Sequence, residues 1–258
     1  MPAFAGVDLA WKPGRDTGVC ILRADGGGVC LERVGTMVAT PTAFAQLLAA
    51  FGDTVYAAID APLVLSPGRR AEALLARRYG RAKASAYHAG RDWLARNNML
   101  AGPQLAEALA ARGFAHAVPS VPNAHGRFMV EVFPHATHVA LFGLAERLKY
   151  KRGTLTARAA AMTMYQAELA RLLQRELPRV DADPRIHALL EQSTIPTTTR
   201  DLKRLEDQLD ALTCAIAAHH VWRHGPAGLE TFGNAEHGQI AVPILLDRGL
   251  APIANRES

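Results

Sequence analysis

FAGVDLAW, residues 4–11, sets one carboxylate, Asp8, in an apolar run that otherwise has the composition of a buried strand. Aspartate is disfavoured in strand interiors, and an ionised carboxylate in apolar surroundings is costly unless a partner compensates it. The fold must therefore bring something to Asp8.

The turn WKPGRD (11–16) follows, then TGVCILRA (17–24) and VCLERV (29–34) on either side of DGGG (25–28). Alternating strand-formers around a glycine-supplied reversal predict a hairpin, and with the first strand three consecutive antiparallel strands. Thr40 is placed to N-cap a helix that Pro41 begins, with FAQLLAAF (44–51) as its apolar face. VYAAIDAPL (55–63) then repeats the pattern of the first strand: an apolar run closing on Asp60, just before Pro62 ends the ladder. A strand reached through a helix after a meander normally runs parallel to a strand of the same sheet, and the nearest is the first. Asp8 and Asp60 are then neighbours at the carboxyl ends of adjacent parallel strands, where open α/β sheets place their ligands.

Residues 66–113 turn helical and alanine-rich, with an irregular break at ARRYGRAKASAY (76–87), and read as an insertion. RFMVEVF (127–133) returns to strand character and again carries a lone acid, Glu131. Residues 154–177 form a helix started by Thr154 or Thr156, with Leu169, Leu172 and Leu173 on one face and Pro178 as its stop. PRVDADPRI (178–186) and STIPTTT (193–199) have connector composition. A last helix runs from a Thr198 or Thr199 cap to Gly225, with Leu202, Leu205, Leu209, Leu212 and Ile216 at helical spacing. This organisation predicts one α/β domain over residues 1–258, with a helical insertion at about 66–126.

With 49% hydrophobic residues in 258, the chain furnishes a substantial core. Its formal charge of +5 leans towards polyanionic partners. Three cysteines, Cys20, Cys30 and Cys214, give neither a disulfide framework nor a cysteine metal site, which fits a reducing compartment. No secretory signal or run of about 18 apolar residues is found, so a soluble, cytoplasmic protein without membrane association is expected.

Asp207 and Asp210 lie three apart on the last helix, about 60° apart around its axis, and share a face. Two isolated acids near a helix start would simply complement its dipole. Together with two strand-end carboxylates, however, they set three or four like charges close together, which repel unless cations neutralise them. Carboxylate oxygens suit hard Mg2+ or Mn2+, and two such ions roughly 4 Å apart can clamp the attacking and leaving oxygens of a phosphoryl displacement. The metal ligands expected on this basis are Asp8, Asp60, Asp207 and Asp210.

GVDLAW (6–11), IDAPL (59–63), EVFPHATHVALFG (131–143), LKYKRG (148–153), EDQLDALTCAIAA (206–218) and HGQIAVP (237–243) follow one another in an order that resembles the domain-of-unknown-function family 429. That family is described as predicted RNase H-like nucleases. The resemblance implies an RNase H-like fold: a mixed five-stranded sheet of order 3-2-1-4-5, strand 2 antiparallel, flanked by helices. It implies that Asp8, Asp60, Asp207 and Asp210 form the catalytic set, the last two in a D-x-x-D-A-L pattern like that of Holliday-junction resolvases. Asp60 stands where many such nucleases carry Glu. Glu131 is a further candidate acid from the fifth strand or, equally, a salt-bridged strand end. His135, in the same motif, is either a substrate contact or a structural histidine.

Residues 66–96 hold a local charge of +6, with Arg69 and Arg70 among the cations and Tyr79, Tyr87 and Trp93 between them. Arginines for phosphates and aromatics for base stacking form a single-strand track, although a solvated helix face gives the same composition. Lys149, Lys151 and Arg152 in LKYKRG are candidate phosphate contacts near the metals. His220 and His224 have the i, i+4 spacing of a helical metal pair but better suit a helix C-terminal dipole. The leading expectation is a metal-dependent nuclease acting on DNA or RNA. The alternatives are a non-catalytic nucleic-acid-binding module and an actin-like or sugar-kinase-like phosphotransferase. The latter needs glycine-rich phosphate grips, for which only DGGG is available.

Overall fold

The computed structural model describes residues 1–191 and 198–246. β1 (Ala3–Asp8) lies inside a six-stranded mixed sheet, antiparallel to β2 (Thr17–Asp25) and parallel to β4 (Val55–Ile59). β3 (Gly28–Met37) closes the expected hairpin with β2, and the Gly27 amide donates to Asp25 Oδ1 at 2.7 Å in the turn. α1 (Pro41–Ala49) carries the predicted cap, Thr40 Oγ1 accepting from the Ala43 amide at 3.2 Å. It supplies the crossover to β4.

β1 reads as continuously apolar because both of its faces are covered. Ala3, Ala5 and Val7 join Ala57 and Ile59 of β4 under α1, whereas Phe4, with Tyr56 and Ala58, lies in the core formed with the long helices on the other face. Asp8 shares the parity of Phe4 and Gly6, and Asp60 that of Tyr56 and Ala58, so both acids fall on the long-helix side. The Asp60 amide donates to Val7 O at 2.8 Å, which locks the two strand ends together.

The sheet has six strands rather than the expected five, in the order 3-2-1-4-6-5. After α2 (Ala71–Tyr79), α3 (Arg91–Arg96) and α4 (Ala101–Ala110) comes β5 (Phe114–His116), which pairs in parallel only with the start of β6 (Arg127–Glu131). Three residues offer no alternation to count, so this edge strand has no sequence signature, and the insertion is not wholly helical. The remaining order, with β2 antiparallel and helices flanking the sheet, is as expected and consistent with an RNase H-like fold.

Past β6, α5 (Pro134–Phe142) leads to α6 (Leu155–Glu176), capped by Thr154. The supposed connector at 178–186 holds α7 (Pro178–Asp181) and the start of α8 (Pro184–Leu190). Pro178 ends α6 as expected, and Pro178 and Pro184 also begin the next helices, because proline's missing N–H falls among the unpaired first-turn donors. Of STIPTTT, residues 193–197 lie outside the described residues. α9 (Thr199–His224) has Thr198 as its N-cap and Gly225 as its C-cap, as the sequence indicates. A 3-10 turn (Gly225–Gly228) then enters a hairpin of β7 (Leu229–Asn234) and β8 (Gly238–Pro243), which the sequence reading leaves out.

Glycines set how closely α9 approaches the sheet. A Cβ on Gly6 would lie 2.0 Å from Ala211 O and 2.2 Å from Ala215 N, and one on Gly18 2.0 Å from Asp207 O. α9 thus rests its backbone directly on β1 and β2, which carries Asp210 to the strand ends. Gly6→Ala should destabilise the protein by about 2 kcal/mol or more, since neither backbone can yield cheaply. The readout is the urea midpoint, and an unchanged midpoint would disprove the contact.

α9 also buries His219, against the rings of Phe4 and Trp222, and half-buries His220, whose Nε2 meets Gly228 O at 2.9 Å. Burial pushes their pKa values down, to about 3 and about 4. His220 is therefore a neutral, bonded imidazole rather than a charge on the helix dipole. Folded-state pKa values below the unfolded value give stability that is complete above about pH 6.5 and falls as the pH drops towards 4. Each histidine contributes a slope of up to about 1.4 kcal/mol per pH unit. Urea titrations at pH 7.5, 6 and 5 should show this loss, and a flat profile would contradict it.

Candidate metal centre

Asp8, Asp60 and Asp210 each offer a carboxylate oxygen, and these oxygens lie within 4.8 Å of one another, so the group could hold a metal ion. β1 and β4 supply the first two from adjacent strand ends, and α9 the third. Asp8 is 9% exposed and Asp210 fully buried. Asp210 Oδ1 accepts from Tyr150 Oη at 2.8 Å and Tyr165 Oη at 3.0 Å. Tyr165 Oη also lies 2.6 Å from Thr213 Oγ1.

The chain supplies a cation of its own. Lys151 Nζ sits 2.7 Å from Asp210 Oδ2 and 3.8 Å from Asp60 Oδ2. Burial works against the ammonium, but Asp210, Asp8 and Asp60 outweigh it and hold Lys151 well above the usual lysine range. Burial would raise Asp210 as well, yet Lys151 and Tyr150 bring it below the usual carboxylate value. Asp8 and Asp60 go the other way: burial pushes Asp8 well up and Asp60 to about 6, with Lys151 opposing in both cases and Asp210 adding repulsion. The group is one paired carboxylate with two strained neighbours.

Asp207 and Glu131, the other expected acids, do not join this group. Asp207 lies one turn before Asp210, and its offset around α9 turns its carboxylate to Lys203 Nζ at 2.5 Å, four residues back. Lys203 also meets Glu206 at 2.8 Å, and Arg158 reaches the other oxygen of Glu206 at 3.4 Å. Glu131 is held by Arg69 in a two-pronged pair, Nη2 to Oε1 at 2.5 Å and Nη1 to Oε2 at 3.1 Å. Arg69 Nε donates to Glu72 Oε1 at 2.7 Å, Nη1 to Val64 O at 2.9 Å, and the Leu63 amide to Glu131 Oε2 at 3.1 Å. Arg69 is thus a buried clamp between α2 and β6, committed to protein partners.

Asp8 and Asp60 open onto a cleft of about 490 Å3 that Lys151 and Lys203 also line, with Trp11, Tyr87 and Phe133 as aromatic residues of its wall. Of the expected substrate contacts, Lys149, Arg152 and His135 line it and Arg70 does not. Lys149 is exposed and pairs with Glu146 at 2.8 Å, Arg152 lies over the Tyr87 ring at 5.3 Å, and Arg70 is exposed at the start of α2. His135 is buried, 5.2 Å from the Tyr150 ring. Burial, and then Lys151, hold its pKa well below the usual histidine value.

Sequence reasoning overlooked Tyr150, Tyr165, Lys203, Glu72 and Arg147. Lys203 could have been found, since it stands four residues before Asp207 on one helix face. The tyrosines carry no such signal.

The sheet and the carboxylate group at its strand ends define an α/β protein with a candidate cation site where such sheets bind ligands. Residues 6–234 match the family model described as a protein of unknown function (DUF429), and the chain belongs to that family. No curated protein matches it. Among the described residues no helix is long and apolar enough to cross a membrane.

Proposed function

We propose that the protein is a metal-dependent nuclease that hydrolyses phosphodiester bonds of DNA or RNA. The observation that carries this reading is the convergence of Asp8, Asp60 and Asp210 within 4.8 Å, with Asp8 and Asp60 lining a cleft that Lys149, Arg152 and Lys203 also line. The donor set fits Mg2+ or Mn2+: every ligand is a hard carboxylate oxygen, and two of the acids carry pKa values that burial and repulsion raise. Held there, the ion would supply Lewis-acid polarisation of a phosphoryl oxygen and a water acidified for attack.

The chain's own residues have separable tasks. Asp8 and Asp60 ligate. Tyr150, Tyr165 and Lys151 keep Asp210 ionised and oriented. The basic side chains of the cleft attract the phosphate backbone, and the Lys151 ammonium at its floor can meet a non-bridging oxygen. Two ions, the number expected from the sequence, require Lys151 to leave Asp210 Oδ2, whereas a single ion on Asp8 and Asp60 does not.

One observation favours the non-catalytic nucleic-acid-binding alternative: Lys151 already neutralises part of the acidic group. The phosphotransferase reading gains nothing from the DGGG turn, which packs on Arg179 of α7. Incubating the purified protein with end-labelled single- and double-stranded DNA and RNA, with Mn2+ or with EDTA, separates the first two. Cleavage that chelation abolishes supports the nuclease; binding without cleavage, indifferent to EDTA, supports the module.

A further inference from the structure

Three buried polar atoms on residues lining the cleft have no hydrogen-bond partner among the described residues: Glu72 Oε2, Arg147 Nε and His135 Nδ1. Glu72 is 5% exposed and His135 6%. Leaving such groups unpaired costs on the order of 1–3 kcal/mol each, so their presence together around one cavity points to a ligand that satisfies them. They ask for complementary things. A carboxylate oxygen needs a donor, the guanidinium N–H needs an acceptor, and the imidazole takes either according to its tautomer.

The walls narrow the choice. Tyr87 and Phe133 both line this space, and Arg152 lies over the Tyr87 ring at 5.3 Å. A planar heterocycle with a donor beside an acceptor on its edge, carrying a phosphate that reaches the basic side chains, meets all of these demands. Nucleobases have that edge pattern. The volume, about 490 Å3, lies in the ~300–1,000 Å3 range of small-ligand sites and suits one nucleotide rather than a duplex.

We propose that this cleft contains a nucleobase pocket, with Glu72 and Arg147 reading the base edge and Tyr87 stacking on its face, so that the substrate enters as an unpaired nucleotide. The proposal rests on the nuclease reading for its substrate but not for its test.

The test is isothermal titration of the full-length protein with the four ribonucleoside 5′-monophosphates and with ribose 5-phosphate, which has the phosphate and no base. The monophosphates should bind at least tenfold more tightly than ribose 5-phosphate. Tyr87→Ala, at a residue 67% exposed and therefore safe to truncate, and Glu72→Gln should each weaken monophosphate binding about fivefold or more and leave ribose 5-phosphate unchanged. Equal affinities for base-bearing and base-free ligands, no binding of either, or unaltered binding by Tyr87→Ala would overturn the pocket. Base-dependent binding by a protein that cleaves nothing would uphold the pocket and defeat the nuclease reading. Chelator-sensitive cleavage with equal affinities would do the reverse.

Discussion

Asp8→Asn should lower the rate of metal-dependent cleavage by roughly 10³-fold or more, and should at the same time raise the melting temperature of the metal-free protein. The two effects have one cause. Asp8 is buried beside Asp60 and Asp210, and its raised pKa means that its charge is unfavourable in the fold despite the pull of Lys151. An amide of the same shape escapes both the burial penalty and the repulsion. The gain should be about 1 kcal/mol, or roughly 2–4 °C for a chain of this size. Excess Mn2+ should reverse the ranking. At a hundred times its dissociation constant a bound ion adds about 2.7 kcal/mol to the native protein and little to the variant. Undiminished cleavage, or a lower melting temperature in the metal-free variant, would remove Asp8 from the site.

Arg69→Met should cost about 3–5 kcal/mol, the largest stability effect of the single changes considered. The guanidinium joins Glu131, Glu72 and the Val64 carbonyl, so its loss strands two buried carboxylates and one carbonyl. Burial already pushes Glu131 up to about 7 with Arg69 opposing, and without Arg69 the rise is greater. A carboxyl whose folded pKa exceeds its unfolded value is stabilising when protonated and loses that contribution as the pH climbs through the folded value. The deficit of the variant should therefore be smaller at pH 5 than at pH 8 in urea titrations. A deficit under 1 kcal/mol, or one that grows on acidification, would show that the clamp is not what holds α2 to β6.

These two residues mark how far the sequence could be read. Asp8 and Asp60 were legible because each breaks an apolar strand at a position that topology makes adjacent: parity and crossover rules are local and directional. Asp210 followed from helix spacing, with Thr198 and Gly225 bounding the helix. What failed was the assignment of partners. Asp207 and Glu131 look like ligands beside Asp8, and Arg69 and Lys151 look like cations facing phosphate. Lys203 on Asp207 was within reach of helix spacing, but only the folded chain shows Arg69 on Glu131 and Lys151 inside the acidic group. Charge pairing across 62 or 59 positions leaves no periodic trace. β5 and the β7–β8 hairpin escaped for another reason: the first is too short to alternate, and the second was read only as the family-like stretch HGQIAVP, with no strand assigned to it.

The central claim is that a divalent cation binds at the group of Asp8, Asp60 and Asp210, on the carboxylates of Asp8 and Asp60. It is tested most directly by crystals of the native protein soaked in Mn2+ and measured at the manganese absorption edge. The account predicts an anomalous peak in contact with carboxylate oxygens of Asp8 and Asp60. A map without a peak there at saturating Mn2+ would contradict it.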